Sequence, residues 1–238
     1  MATVICHMMA SLDGHIDCDM TSHLGSKGYY EALEALKIDT TVEGKVTALH
    51  HYASGTYTPI DPTSVGKPEF FKSHESEKWA VIADTRGTLV WPETDDKNRL
   101  CLVSELAPRE YLDYLKKNGI SYIAVGKKSI DLREAVRILE TEFGSQRIGV
   151  VGGGHINGSF LEAGLINEVS MVYGAGIGGR SSQPTAFEGI SESHTVPYKL
   201  TLQSVEKVAD QSVWIRYTVS SVWAVTAKPL PRFSFYSE

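Results

Sequence analysis

The apolar positions fall in short runs separated by turn residues, not in long stripes. Residues 4–9, 80–83, 100–103, 122–125, 148–151 and 169–173 form such runs. Their length and their valine and isoleucine content predict strands buried on both faces. Later in the chain, Val213, Ile215, Tyr217 and Val219 alternate with more polar residues. Together with residues 200–205 they predict an antiparallel hairpin near the C-terminus.

Helical spacing appears between the runs. Over 131–143, Leu132, Ala135, Val136, Leu139 and Phe143 share one face. Asp131 is the expected N-cap, Glu134 occupies the capping-box position and Gly144 is the stop. Residues 110–117, followed by Gly119, predict a second helix, and 26–37 a third with a weaker pattern. Strands alternating with helices predict an α/β fold of three layers, a central mixed but mostly parallel sheet between helices, ending in the antiparallel hairpin. No linker interrupts the pattern. Residues 1–227 read as one domain, 52–76 as a long surface loop, and 228–238, with Pro229 and Pro231, as a tail.

Charge and cysteine content narrow the function classes. A net charge of -6 on 238 residues argues against a general nucleic-acid binder or a protein of anionic membranes, both of which need a basic surface. Three cysteines without CxxC spacing fit a reducing compartment and offer no disulfide or zinc framework. No apolar stretch is long enough to cross a bilayer, so a cytoplasmic protein is expected.

The most informative stretch runs from Arg147 to Gly164. An apolar strand leads into Gly152, Gly153 and Gly154, and a short helix follows, with Asn157 as the expected N-cap and Gly164 as its stop. Such glycines let a ligand approach the main chain, and the helix start offers free amide hydrogens to a phosphate. Two familiar nucleotide motifs do not fit. Gly153 and Gly158 have P-loop spacing, but Ser159 stands where the lysine belongs, and a Rossmann fingerprint needs glycine where Asn157 stands. Downstream, Gly174, Gly176 and Gly179 do match G-x-G-x-x-G, but no apolar helix follows them, which predicts a flexible loop near the site.

With that loop in view, the chain resembles the riboflavin-biosynthesis reductase domain, itself similar to dihydrofolate reductase. Ser11-Leu12-Asp13-Gly14 resembles the segment that closes over the family's active site. Asp39 to Thr47 resembles its second strand and Gly-x-x-Thr turn, Trp79 to Asp84 the strand ending in aspartate, and Leu102-Val103-Ser104 the strand leading to the adenosine side. Val151 to Glu168 resembles its Gly-Gly-Gly-x-x-Asn-Gly-Ser segment over its whole length. The resemblance implies a dihydrofolate-reductase-like fold, hydride transfer from NADPH to the ribosylamino group of a phosphorylated diaminopyrimidine, a homodimer and no metal. It implies cofactor contacts at Gly44, Lys45, Thr47, Ser104, Gly152, Gly153, Gly154, His155, Ile156 and Asn157. Ser11, Asp13 and Glu162 are the expected substrate contacts, with Asp13 the catalytic candidate. Lys45, Arg86, Ser104 and Lys127 are candidates for the 2′-phosphate of NADPH, which needs a cation or hydroxyl donors.

The substrate half departs from the family. Ala35 stands where the family has an arginine, and His50-His51-Tyr52-Ala53 replaces a run that ends in another; those arginines help hold the substrate phosphate. The fused deaminase's H-x-E and P-C-x-x-C signatures are missing from the 238 residues. Adjacent histidines point in different directions, so His50 and His51 are not expected to share a metal. A dihydrofolate reductase, another small-molecule reductase of this fold, and a non-catalytic NADP-binding module remain as alternatives.

Overall fold

The computed structural model describes residues 1–53, 55–92 and 98–220. The expected tail at 228–238 lies outside the described residues. Among the described residues, ten strands join in one sheet. They are β1 (Thr3–Ala10), β2 (Thr40–Gly44), β3 (Glu69–Phe71), β4 (Trp79–Ala83), β5 (Arg99–Val103), β6 (Ser121–Ala124), β7 (Arg147–Val150), β8 (Glu168–Tyr173), β9 (Leu200–Lys207) and β10 (Val213–Val219). Their order is β3-β6-β5-β4-β2-β7-β1-β8-β10-β9. All pairings from β6 to β8 are parallel, while β3, β10 and β9 run antiparallel to their neighbours. The mixed, mostly parallel sheet and its closing hairpin agree with the sequence pattern.

Among the described residues, six helices cover the sheet: α1 (Cys18–Ser22), α2 (Lys27–Ala35), α3 (Lys45–His51), α4 (Arg109–Lys117), α5 (Leu132–Glu142) and α6 (Gly154–Glu162). Strand alternation sorts them into layers. Val81, Leu100, Leu102 and Ile123 face a core shared with α5 and α6. Their neighbours Ile82, Cys101, Val103 and Tyr122 face α3 and α4 on the other side. Ile5 and Val172 bury against α2 together with Trp214. Asp131 caps α5 as expected, accepting from the amides of Arg133 and Glu134, but Glu134 pairs with Arg137 and does not complete a capping box. The 52–76 loop is not wholly irregular, since β3 lies within it. Glu69 fixes that strand by accepting from Tyr122 at 2.7 Å and pairing with Arg109 at 2.7 Å.

One buried polar chain ties α2 to the sheet. Trp214 Nε1 donates to Ser170 Oγ at 2.7 Å, Ser170 Oγ lies 2.9 Å from His7 Nδ1, and His7 Nε2 lies 3.2 Å from the Tyr29 carbonyl. A neutral ring donating from Nε2 and accepting at Nδ1 satisfies every partner. The ring also stacks on Tyr29. Burial lowers the His7 pKa from 6.5 to about 4. The unfolded chain therefore binds more protons than the native one in that interval, so stability is full above pH 6.5 and falls as the pH drops toward 4. The expected loss is about 3 kcal/mol. Urea unfolding across the interval should show it, and His7→Gln should flatten the slope; an unchanged slope in the variant would remove His7 as the cause.

Candidate active site

The carboxyl ends of the parallel strands surround a cavity of about 850 Å³, within the usual range for small-molecule and cofactor sites. Its floor is the turn after β7. Gly152 there has φ +125, a conformation that L side chains rarely adopt. The peptide between Gly152 and Gly153 is cis. The Gly152 carbonyl accepts from the Gly44 amide at 2.9 Å, which locks this turn to the start of α3. Thr41, Glu43, Lys45 and Thr47 line the side above β2 and α3, and Cys18, Tyr29 and Leu33 line the side formed by α1 and α2.

Helix α6 begins earlier than the sequence suggested. Its N-cap is Gly153, with no side-chain cap, and Asn157 lies inside the helix. Asn157 is fully buried and donates from Nδ2 to the Ala186 carbonyl at 2.7 Å. Its role as N-cap is thus corrected: the amide braces the 184–190 segment against the helix. Gly158 packs on the same segment, where an added Cβ would sit 1.9 Å from the Glu188 carbonyl oxygen. The spacing of Gly154, Asn157, Gly158 and Leu161 is the buried stripe of a helix, and it was readable in the sequence.

The expected cofactor residues mostly converge. Gly44, Lys45, Thr47, Gly152, Gly153, Gly154, His155 and Ile156 all line the cavity. The imidazole of His155 is largely exposed and faces Glu188 at 3.7 Å, and Lys45 Nζ donates to Thr88 Oγ1. Asn157 supports the floor from behind. Ser104 lies outside the lining residues: its hydroxyl is buried and donates to the Thr85 carbonyl at 2.8 Å. It still stands at the carboxyl end of β5, on the sheet edge that Arg86 after β4 and Lys127 after β6 share. Both of those cations are exposed.

The expected substrate residues do not line the cavity. Ser11 Oγ donates to Asp13 at 2.5 Å, and the Asp13 carboxylate accepts from the Gly178 and Gly179 amides at 3.0 and 2.7 Å. Those three donors hold its pKa well below the ordinary carboxylate range, so Asp13 stays ionised. It is built as a clamp between its own turn and the second glycine-rich loop. Glu162, at the end of α6, accepts from the Ser191 amide at 3.0 Å.

Sequence reasoning passed over Glu43, next to last in β2. It lines the cavity beside Thr41, since alternate residues of a strand share a face. Burial raises its pKa, and Tyr52 Oη donates to it. It also passed over the grouping of Cys18 with His50 and His51. The adjacent histidines do not diverge: both side chains are long enough to converge at the end of α3, and their rings meet edge to face with centroids 4.8 Å apart.

The sequence profile of the RibD C-terminal domain matches residues 2–214. The chain belongs to that family. A protein of Archaeoglobus fulgidus, 2,5-diamino-6-ribosylamino-4(3H)-pyrimidinone 5′-phosphate reductase, is 30% identical over 220 residues, covering 87% of this chain and 94% of its own. Among solved structures, a pyrimidine reductase-like protein of Corynebacterium diphtheriae superposes with a TM-score of 0.69 at 13% identity, covering 92% of both chains. Acinetobacter baumannii RibD superposes with a TM-score of 0.66 at 16% identity over 92% of this chain and 58% of that one. At these identities the two structures speak for the RibD-like fold alone, and the fold agrees with the α/β expectation.

Proposed function

We propose that this protein is an NADPH-dependent reductase of the riboflavin pathway that reduces the ribosylamino group of a phosphorylated diaminopyrimidine. The observation that carries the reading is the cradle at Gly153. A Cβ built there meets no atom within 4 Å, and the uncapped start of α6 follows directly. An open main chain at a helix N-terminus, at the carboxyl edge of a parallel sheet, is suited to a dinucleotide's phosphates. When bound, NADPH supplies the hydride. The protein must hold donor and acceptor carbons in contact and keep water out. In this reading Gly44, Thr47 and the turn at 152–154 hold the pyrophosphate, and Lys45, Arg86 and Lys127, which follow the carboxyl ends of β2, β4 and β6, are the cations offered to the adenosine side. Ser104, its hydroxyl already used, positions the end of β5.

Glu43 takes the substrate role that was expected of Asp13 and Glu162. The Archaeoglobus relative's substrate, by its name, carries two amino groups, and a half-buried carboxylate accepts such N–H donors strongly. Ser11 and Asp13 hold the second glycine-rich loop in place. A homodimer would have a surface to use, because edge strand β9 exposes Leu200, Leu202 and Val205. A cytoplasmic location belongs to the same proposal.

Melting curves with NADPH and NADH in parallel test the cofactor assignment. NADPH at a hundred times its Kd stabilises the native state by about 2.7 kcal/mol, which for a chain of this size raises Tm by roughly 5–10 °C. NADH at the same concentration should give a clearly smaller shift. No shift with either nucleotide would refute the reading.

A further inference from the structure

The mouth of the cavity carries a second cluster of reactive side chains. Cys18 begins α1, and His50 and His51 end α3. The cysteine sulfur and one nitrogen of each imidazole all lie within 4.8 Å of one another. In a tetrahedral zinc site, with Zn–S about 2.3 Å and Zn–N about 2.0 Å, ligand atoms stand roughly 3.3–3.6 Å apart. Small side-chain rotations close that difference. One thiolate with two imidazoles is a donor set that selects zinc and its transition-metal neighbours over magnesium or calcium. Asp19 Oδ1 lies 3.6 Å from His50 Nε2, a place from which a carboxylate would orient an imidazole that ligates through Nδ1.

All three side chains line the cavity, so a metal they held would have a coordination position open to it. The cavity's charge gives that position a use. Among the described residues, its lining holds four carboxylates, Asp17, Asp19, Glu43 and Glu188, against one lysine, Lys45. At the open amides of α6 a phosphate has donors of its own, but one placed beside Cys18 and His50 meets the Asp19 carboxylate, and a cation there would offset that charge.

We propose that Cys18, His50 and His51 bind one divalent ion of the zinc class, and that its open position takes a phosphate oxygen of the substrate. Binding displaces the thiol proton to solvent and leaves a site of net charge about +1 before the carboxylates are counted. The phosphate role rests on the reductase reading; the metal site does not.

The test uses the whole chain, stripped with a chelator and titrated with zinc against a chromophoric competitor. One equivalent is expected to bind. The cobalt form is expected to show a thiolate-to-metal charge-transfer band that Cys18→Ser abolishes. His50→Ala and His51→Ala should each weaken zinc binding by at least about tenfold. His50 is an exposed position (44%), so its variant keeps the test decisive if Cys18→Ser folds poorly. Inorganic phosphate is expected to shift the cobalt d–d bands. Failure to bind zinc, or stoichiometric binding that survives all three substitutions, overturns the site. Bands indifferent to phosphate overturn the phosphate role alone. Neither result touches the NADPH melting shift, so the two readings fail separately.

Discussion

Gly153→Ala is expected to weaken NADPH binding by at least about tenfold, equivalent to 1.4 kcal/mol or more, while leaving thermal stability near that of the parent. The two halves of this expectation have different origins. Gly153 has φ -79 and ψ -167, which alanine tolerates, and the added methyl would touch nothing in the free protein. The methyl therefore has no native contact to disturb. It would instead occupy the space through which a phosphate reaches the first amides of α6. Isothermal titration with NADPH, beside a melting curve of each protein without ligand, separates the two effects. Unchanged affinity would mean that the dinucleotide lies elsewhere. A large drop in Tm would mean that the open space around Gly153 is not open in solution.

The strand pattern and the glycine turn were legible because each imposes a strong physical constraint. A parallel strand buried on both faces must be largely apolar, as β4 is throughout and β1 is apart from Thr3 and the paired His7. A turn with φ +125 at Gly152 tolerates almost no other residue. Where several residues satisfied the same rule, the sequence misled. Asparagine is a favoured N-cap, so Asn157 drew the helix start four residues too late, although Gly153 caps α6 without any side chain. Asp13 drew attention because its segment resembles an active-site closure, yet what it grips is the backbone at 178 and 179. That grip depends on a loop 165 residues away, and no local pattern reports a partner at such separation.

Long-range convergence also hid Cys18, His50 and His51. Cys18 sits in a five-residue helix with no buried residue, too short for a periodic signal. The adjacent histidines argued against a shared ligand as long as only backbone direction was considered. Glu43 was hidden for another reason. A strand of the pattern Thr-Thr-Val-Glu-Gly reads as alternately buried, which places the carboxylate on the polar side. In the fold that side is the cavity wall, because α1 and α2 rise over it.

Glu43→Ala is expected to lower kcat/KM for the pyrimidine substrate by roughly ten- to a hundredfold, the effect of losing hydrogen bonds to a charged group worth about 1.5–3 kcal/mol. Burial already raises the pKa of this carboxyl, which disfavours its ionised form. Amino groups donating to it would restore that form, and this makes the interaction stronger than an exposed pair of the same geometry. Glu43→Gln keeps one acceptor and the volume, and should recover part of the loss. Tyr52, which donates to Glu43, should show a smaller effect as Tyr52→Phe, since it acts on the carboxylate and not on the substrate. Steady-state kinetics at saturating NADPH, with the NADPH melting shift measured on the same samples, distinguish substrate recognition from damage to the cofactor site. A Glu43→Ala protein that keeps the parent kcat/KM would take the substrate off this wall of the cavity, and a lost NADPH shift would place Glu43 with the cofactor instead.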